Sequence, residues 1–165
     1  MDSNLLLRKS VKADIESMFV MLVKSMSPYL SVNKSSPKSS QLIIERNIVK
    51  DYVNEDIYMC LVAEINSEIV GWLAGSNKSE VLSEHGCSTE EFYIEEIVVS
   101  SHYRRRGIGS FLLSGIPKDH LKAIVVDTPL INKQAIAFYQ KSGFVKVLGL
   151  SREFNKTWIR MSKNV

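Results

Sequence analysis

Tyr103-Arg104-Arg105-Arg106-Gly107-Ile108-Gly109 lies between two apolar segments of different character. Upstream, Phe92-Tyr93-Ile94-Glu95-Glu96-Ile97-Val98-Val99 reads as a strand over 92–99. Downstream, Ile108 to Leu113 reads as the first turns of a helix expected over about 107–116, with Pro117 ending it early. A strand that enters a short loop and then a helix leaves several backbone N–H groups unpaired at the helix start. Such groups bind anionic oxygens, and glycine lets the backbone come close to them. Three consecutive arginines add positive charge and forked donors suited to phosphate. The stretch is therefore expected to hold a phosphorylated ligand.

Spacing decides which phosphate loop this is. A P-loop requires G-x-x-x-x-G-K-[ST], and the chain contains no Gly-Lys pair. A dinucleotide fingerprint requires G-x-G-x-x-G, but position 112 is Leu. What remains is R-x-x-G-x-G, made of Arg104, Gly107 and Gly109. Taken alone this is also the pattern of a basic surface turn before a helix. A second motif follows: Asn132-Lys133-Gln134-Ala135-Ile136-Ala137-Phe138-Tyr139-Gln140-Lys141-Ser142-Gly143-Phe144. It fits N-x-x-A-x-x-x-Y-x-x-x-G-F. Asn132 is a plausible N-cap, Ala135, Ile136 and Tyr139 recur at helical spacing, and Gly143 suits a left-handed helix end.

The two motifs, in this order and with one strand between them, resemble the GCN5-related N-acetyltransferase (GNAT) family. The resemblance spans roughly residues 4–162, and its specific motifs cover 93–144. It implies an α/β (α+β) fold with a mixed, twisted six- to seven-stranded sheet flanked by about four helices. It also implies acetyl-CoA as acetyl donor, with transfer to an amine by direct attack and no metal. By the same resemblance, the backbone of Arg105, Arg106, Gly107, Ile108, Gly109 and Ser110, beside Arg104, would hold the pyrophosphate. The main chain of Ile97, Val98 and Val99 would pair with the pantetheine arm as an added strand does, and Asn132 would reach the same arm. The family often has Pro where Ser101 stands, and its first motif helix usually runs further than Ser114-Gly115-Ile116-Pro117 allows here.

An amine acceptor arrives mostly protonated, so a general base must take a proton before attack. Alternation along the strand puts Tyr93, Glu95, Ile97 and Val99 on one face and Ile94, Glu96 and Val98 on the other. Glu95 lies nine residues before Arg104, where the similar segment of spermidine/spermine acetyltransferases carries a catalytic glutamate. Histone-acetylating members carry theirs two residues earlier, where this chain has Tyr93. Glu95 is thus the candidate base, against the plainer role of a salt-bridged strand carboxylate. Glu96, on the opposite face, reads as structural. Tyr139 matches the family's catalytic tyrosine and is the candidate acid for the departing thiolate; the competing role is a packed aromatic. His85, His102 and His120 read as surface residues.

Composition sets the outer bounds. At 165 residues, 45% hydrophobic and 24% charged, the chain reads as one globular domain over 1–165. A net charge of +3 is too small to suggest a nucleic-acid partner. No apolar run approaches the length of a membrane span, and Met1-Asp2-Ser3-Asn4-Leu5 resembles no signal peptide, so no membrane partner and a cytoplasmic location are expected. Cys60 and Cys87 read as reduced thiols, the first in the core and the second in a loop. The family resemblance implies an acceptor that is an amine on a small molecule or a peptide. A non-catalytic acyl-CoA-binding domain is the alternative, and a homodimer stays open.

The remaining pattern supplies the other elements. Strands are expected at 5–8, 57–65, 69–75, 123–126, 145–150 and 158–161, and helices at 13–26, 41–53 and 132–142. Pro28 should close the first helix, Ser39 or Ser40 should cap the second, and Asn66-Ser67 should turn a hairpin. Residues 31–40 and 76–91 read as polar loops, the latter carrying Glu80, Glu84, Glu90 and Glu91, which could attract a cationic amine.

Overall fold

A computed structural model places seven strands in one mixed sheet of order β1-β2-β3-β4-β5-β7-β6. The structure describes residues 4–30, 39–153 and 156–165. The strands are β1 (Leu5–Lys9), β2 (Met59–Ile65), β3 (Glu68–Ser76), β4 (Glu91–Val99), β5 (Ala123–Pro129), β6 (Val145–Glu153) and β7 (Lys156–Asn164). Five helices accompany them: α1 (Ile15–Leu30), α2 (Ser39–Asn54), α3 (Ser79–Glu84), α4 (Ile108–Ser114) and α5 (Lys133–Lys141). The chain forms two compact units, Met1–Gly75 with Glu96–Pro117, and Ser76–Glu95 with Lys118–Val165. β4 contributes to both.

In the first unit, β1, β2 and β3 form an antiparallel meander. Asn66 and Ser67 turn the β2–β3 hairpin with φ of 49° and 65°. Two successive left-handed residues make the turn whose twist matches that of the flanking strands. The core gathers Met18 and Leu22 of α1, Val49 and Tyr52 of α2, Cys60, Val62 and Trp72 of the hairpin, and Val98 of β4. The Trp72 indole N–H donates to the Met18 carbonyl at 3.2 Å, satisfying the one polar group that this side chain buries. Burial pushes the Cys60 thiol up to about 11, as befits an inert core cysteine.

At Gly71 of β3, α4 packs close against the sheet. A Cβ there would lie 3.0 Å from the Val98 carbonyl oxygen and within 3.2 Å of Ile108 and Leu112 side-chain atoms. The carbonyl cannot move without breaking the sheet, so Gly71→Ala is expected to overpack the site by about 1–3 kcal/mol. Thermal unfolding should then show a melting temperature lowered by several degrees.

In the second unit, β4 and β5 are parallel, with register running from Glu91 opposite Ala123 to Ile94 opposite Val126. A parallel pair needs a crossover, and residues 100–122 supply it. β5 pairs antiparallel with β7, and β6 with β7. Leu82, Tyr93 and Val125 pack together, with Cys87 against them.

Three expectations need correction. Residues 76–91 are not structureless, because α3 occupies Ser79–Glu84 and buries Val81 and Leu82. Six residues make too short a helix to produce a readable 3.6-residue period. Pro28 does not end α1, which continues to Leu30; near a helix end the missing main-chain donor costs a single hydrogen bond. Ser39 and Ser40 lie inside the first turn of α2 rather than before it. The expected loop falls, over 31–38, outside the described residues.

Candidate active site

The loop between β4 and α4 is held open by backbone conformations that side chains disfavour. Arg105 has φ of 62° and Gly107 has φ of 86°. A non-glycine residue in the left-handed region costs about 1–3 kcal/mol, and such strain collects where a ligand needs a particular backbone shape. Interleaved left-handed residues gather successive N–H groups into an anion-binding concavity. The first helical bond of α4 is Phe111 N–H to Gly107 O at 2.9 Å. The N–H groups of Ile108, Gly109 and Ser110 therefore precede any carbonyl of their own helix that could accept them. Arg105, Arg106 and Gly107 are exposed, whereas Ile108 is buried and anchors the helix start.

The remaining side chains brace this loop. The Arg104 Nε donates to the Val99 carbonyl at 3.1 Å, tying the loop back to the end of β4. Tyr103 donates its hydroxyl to Glu68 at 3.0 Å, and the Arg106 guanidinium lies 5.3 Å from the Tyr103 ring centre. Ser101, where proline is common in the family, starts a short 3-10 turn closed by Tyr103 N–H to Ser100 O at 2.9 Å. Ile97, Val98 and Val99 share this unit with the loop. β4 runs five residues past the last pair of its register with β5, Ile94–Val126.

Gly107→Ala tests the loop directly. Alanine at φ of 86° costs about 1–2 kcal/mol, so the free loop should relax and a phosphorylated ligand would have to restore it. Calorimetry is expected to show acetyl-CoA binding weakened roughly tenfold, with little change in melting temperature.

Glu95, Asn132 and Tyr139 belong to the second unit. Asn132 caps α5, its Oδ1 accepting from Ala135 N–H at 3.0 Å, which leaves its amide NH2 as a donor. Gly143, at φ of 90°, follows the end of α5. The Tyr139 ring is buried between Phe138 and Phe144, with ring centres 5.1 and 5.2 Å away. Glu95 is largely buried and its Oε1 lies 3.1 Å from His85 Nε2. Glu96, the half-buried neighbour, falls in the first unit.

His85 is not the bare surface residue expected from sequence. Its ring stacks on Tyr93 at 3.7 Å between centres and 12° between planes. Behind it, Arg160 grips Asp127 with two bonds of 2.9 and 2.7 Å and donates a third, 2.7 Å, to the His85 carbonyl. The Tyr93 hydroxyl donates to Asp127 at 3.3 Å. Burial, reinforced by the Asp127 and Glu95 charges, raises the Tyr93 phenol well above its ordinary value and keeps it a donor. Burial likewise pushes the Cys87 thiol up to about 11. Asp127 and Arg160 carried a sequence signal of their own, being single charges inside the apolar runs of β5 and β7. The acidic loop offers less free charge than its composition suggests: Glu90 pairs with Lys122 at 2.6 Å and Glu91 accepts from Ser88 N–H at 2.7 Å.

The chain is 28% identical over 107 residues to N-alpha-acetyltransferase 30 of Dictyostelium discoideum, covering 62% of this chain and 55% of that protein. It thus spans about half the length of that relative. Its fold is similar to that of the Escherichia coli ribosomal-protein-S18-alanine N-acetyltransferase, with a TM-score of 0.67, 14% identity, and 98% and 94% of the two chains covered. It is also similar in fold to a putative streptothricin acetyltransferase of Bacillus anthracis solved with acetyl coenzyme A. There the TM-score is 0.57, the identity 21%, and 70% and 67% of the two chains are covered. The profile of the Acetyltransferase (GNAT) family matches residues 22–144, which include the loop, Glu95, Asn132 and Tyr139. On that match, and with the two motifs on the elements expected of them, the chain belongs to the GNAT family of acetyltransferases.

Proposed function

We propose that this chain is an acetyl-CoA-dependent N-acetyltransferase acting as a single domain over residues 1–165, and that its acceptor is the α-amino group of a peptide or protein. The Arg104–Ser110 loop carries this reading, because left-handed backbone at Arg105 and Gly107 leads directly into the N–H groups of Ile108, Gly109 and Ser110, which no carbonyl of α4 can accept. The loop's chemistry fits a pyrophosphate: contiguous N–H donors, a left-handed glycine, and exposed arginines beside it. Main-chain groups of Ile97–Val99, past the end of the β4–β5 register, are suited to pairing with the amide-bearing arm. The Asn132 side chain keeps its amide NH2 as a donor while its Oδ1 caps α5.

Bound acetyl-CoA would supply an activated acetyl thioester. Glu95 would take the proton of the incoming amine on Oε2, since Oε1 is engaged by His85. Tyr139 would give its phenolic proton to the departing sulfur. The α-amino acceptor rests on the curated relative's name, and the choice suits the chemistry. An α-amine titrates near 7.7–8.0, against about 10.4 for a lysine amine, so a carboxylate base has far less to do.

The test is free-thiol release from acetyl-CoA against peptides with free N-termini, polyamines, aminoglycosides and free amino acids. Turnover confined to peptides is the expected result. Turnover with polyamines or aminoglycosides alone would reassign the acceptor. Binding of acetyl-CoA without turnover on any amine would favour a non-catalytic domain.

A further inference from the structure

Glu95 is held by a device that the two catalytic motifs do not include. We propose that His85 is a positioning residue for Glu95, and this rests on reading Glu95 as the general base. Three contacts fix His85 within the second unit, two of them on its ring and one on its main chain. Its face lies on Tyr93, 3.7 Å between ring centres. Its own carbonyl is tied by Arg160, which is itself locked on Asp127. Its Nε2 meets Glu95 Oε1 at 3.1 Å. Tyr93 and Glu95 of β4 thus meet the ring, while Arg160 of β7, held on Asp127 of β5, and Cys87 of its own loop meet the His85 carbonyl.

The arrangement gives the glutamate a fixed aim. A glutamate has three rotatable bonds, and a carboxylate with no partner would sample several orientations. A donor clamped to one of its oxygens selects a single orientation and leaves the other oxygen to receive the amine proton. Preorganisation of this kind matters because a misplacement of about 1 Å at a reacting group can cost on the order of 100-fold in rate. The clamp comes from the segment after α3, so that short helix has a purpose: it delivers His85 to the strand that carries the base.

Two substitutions separate positioning from packing. His85→Phe keeps the ring on Tyr93 and removes the donor; His85→Gln keeps a donor at the place of Nε2 and removes the ring. If His85 positions Glu95, His85→Phe should lower kcat about 10- to 100-fold with the KM for acetyl-CoA unchanged. His85→Gln should retain most of kcat while lowering the melting temperature. In a Glu95→Gln background, adding His85→Phe should cause no further loss, since the two act as one unit. Full activity in His85→Phe, or loss in His85→Gln alone, would overturn the positioning role while leaving Glu95 as base. Undiminished turnover in Glu95→Gln itself would overturn the base and the positioning role together.

Discussion

Replacing Glu95 by Gln is expected to lower kcat by roughly 10²–10⁴-fold, the usual contribution of a placed general base. Gln keeps the shape of the side chain and can still accept from His85 Nε2, so the network of His85, Tyr93, Asp127 and Arg160 should persist. The KM for acetyl-CoA should hardly move, because Glu95 is not among the groups proposed to hold the cofactor. The deficit should also depend on pH in a definite direction. Raising pH through the α-amine pKa of about 7.7–8.0 deprotonates the acceptor without help, so the variant should regain activity relative to wild type between about pH 7 and pH 9. For an α-amine the recovery should level off above about pH 8, as its neutral fraction saturates. A lysine amine, titrating near 10.4, would instead keep gaining about tenfold per pH unit across the same range. The ratio of wild-type to variant kcat across that interval therefore reports both the base and the class of amine it serves.

Tyr139→Phe is the second large effect. Phenylalanine preserves the ring packing against Phe138 and Phe144, and the melting temperature should stay close to wild type. What disappears is the hydroxyl, the proposed proton donor to the departing thiolate. A thiol titrates near 8.5, so at pH 7 an unassisted thiolate is a tolerable but poorer leaving group. A fall in kcat of roughly 10²-fold, with the KM for acetyl-CoA little changed, is expected. An equal loss of kcat and of acetyl-CoA affinity would instead assign Tyr139 to binding. Unchanged kinetics would remove it from the mechanism.

Local chemistry explains why some features were legible in the sequence. The Asn66-Ser67 hairpin turn, the Asn132 cap and the left-handed Gly143 each follow from one or two residues whose conformational preferences are strong. The R-x-x-G-x-G loop was legible for the same reason, although the left-handed φ of Arg105 was not, since arginine has no preference for that region. Long-range pairing was hidden. Nothing in Glu91–Val99 announces that its register with β5 ends at Ile94. The part of the site around Glu95 was hidden by distance in sequence: His85, Asp127 and Arg160 come from three separate elements. His85 in particular follows a helix too short to register as a period, so it read as one residue of a polar loop.

The most direct test is the mass of the product after incubating acetyl-CoA with a peptide that carries both a free N-terminus and an internal lysine. Fragmentation locates the added acetyl group. Acetylation of the α-amine, abolished when the N-terminus is blocked, is the expected result. Acetyl-CoA that is neither consumed with any amine nor able to raise the melting temperature would contradict the assignment of the Arg104–Ser110 loop, and with it the proposed activity.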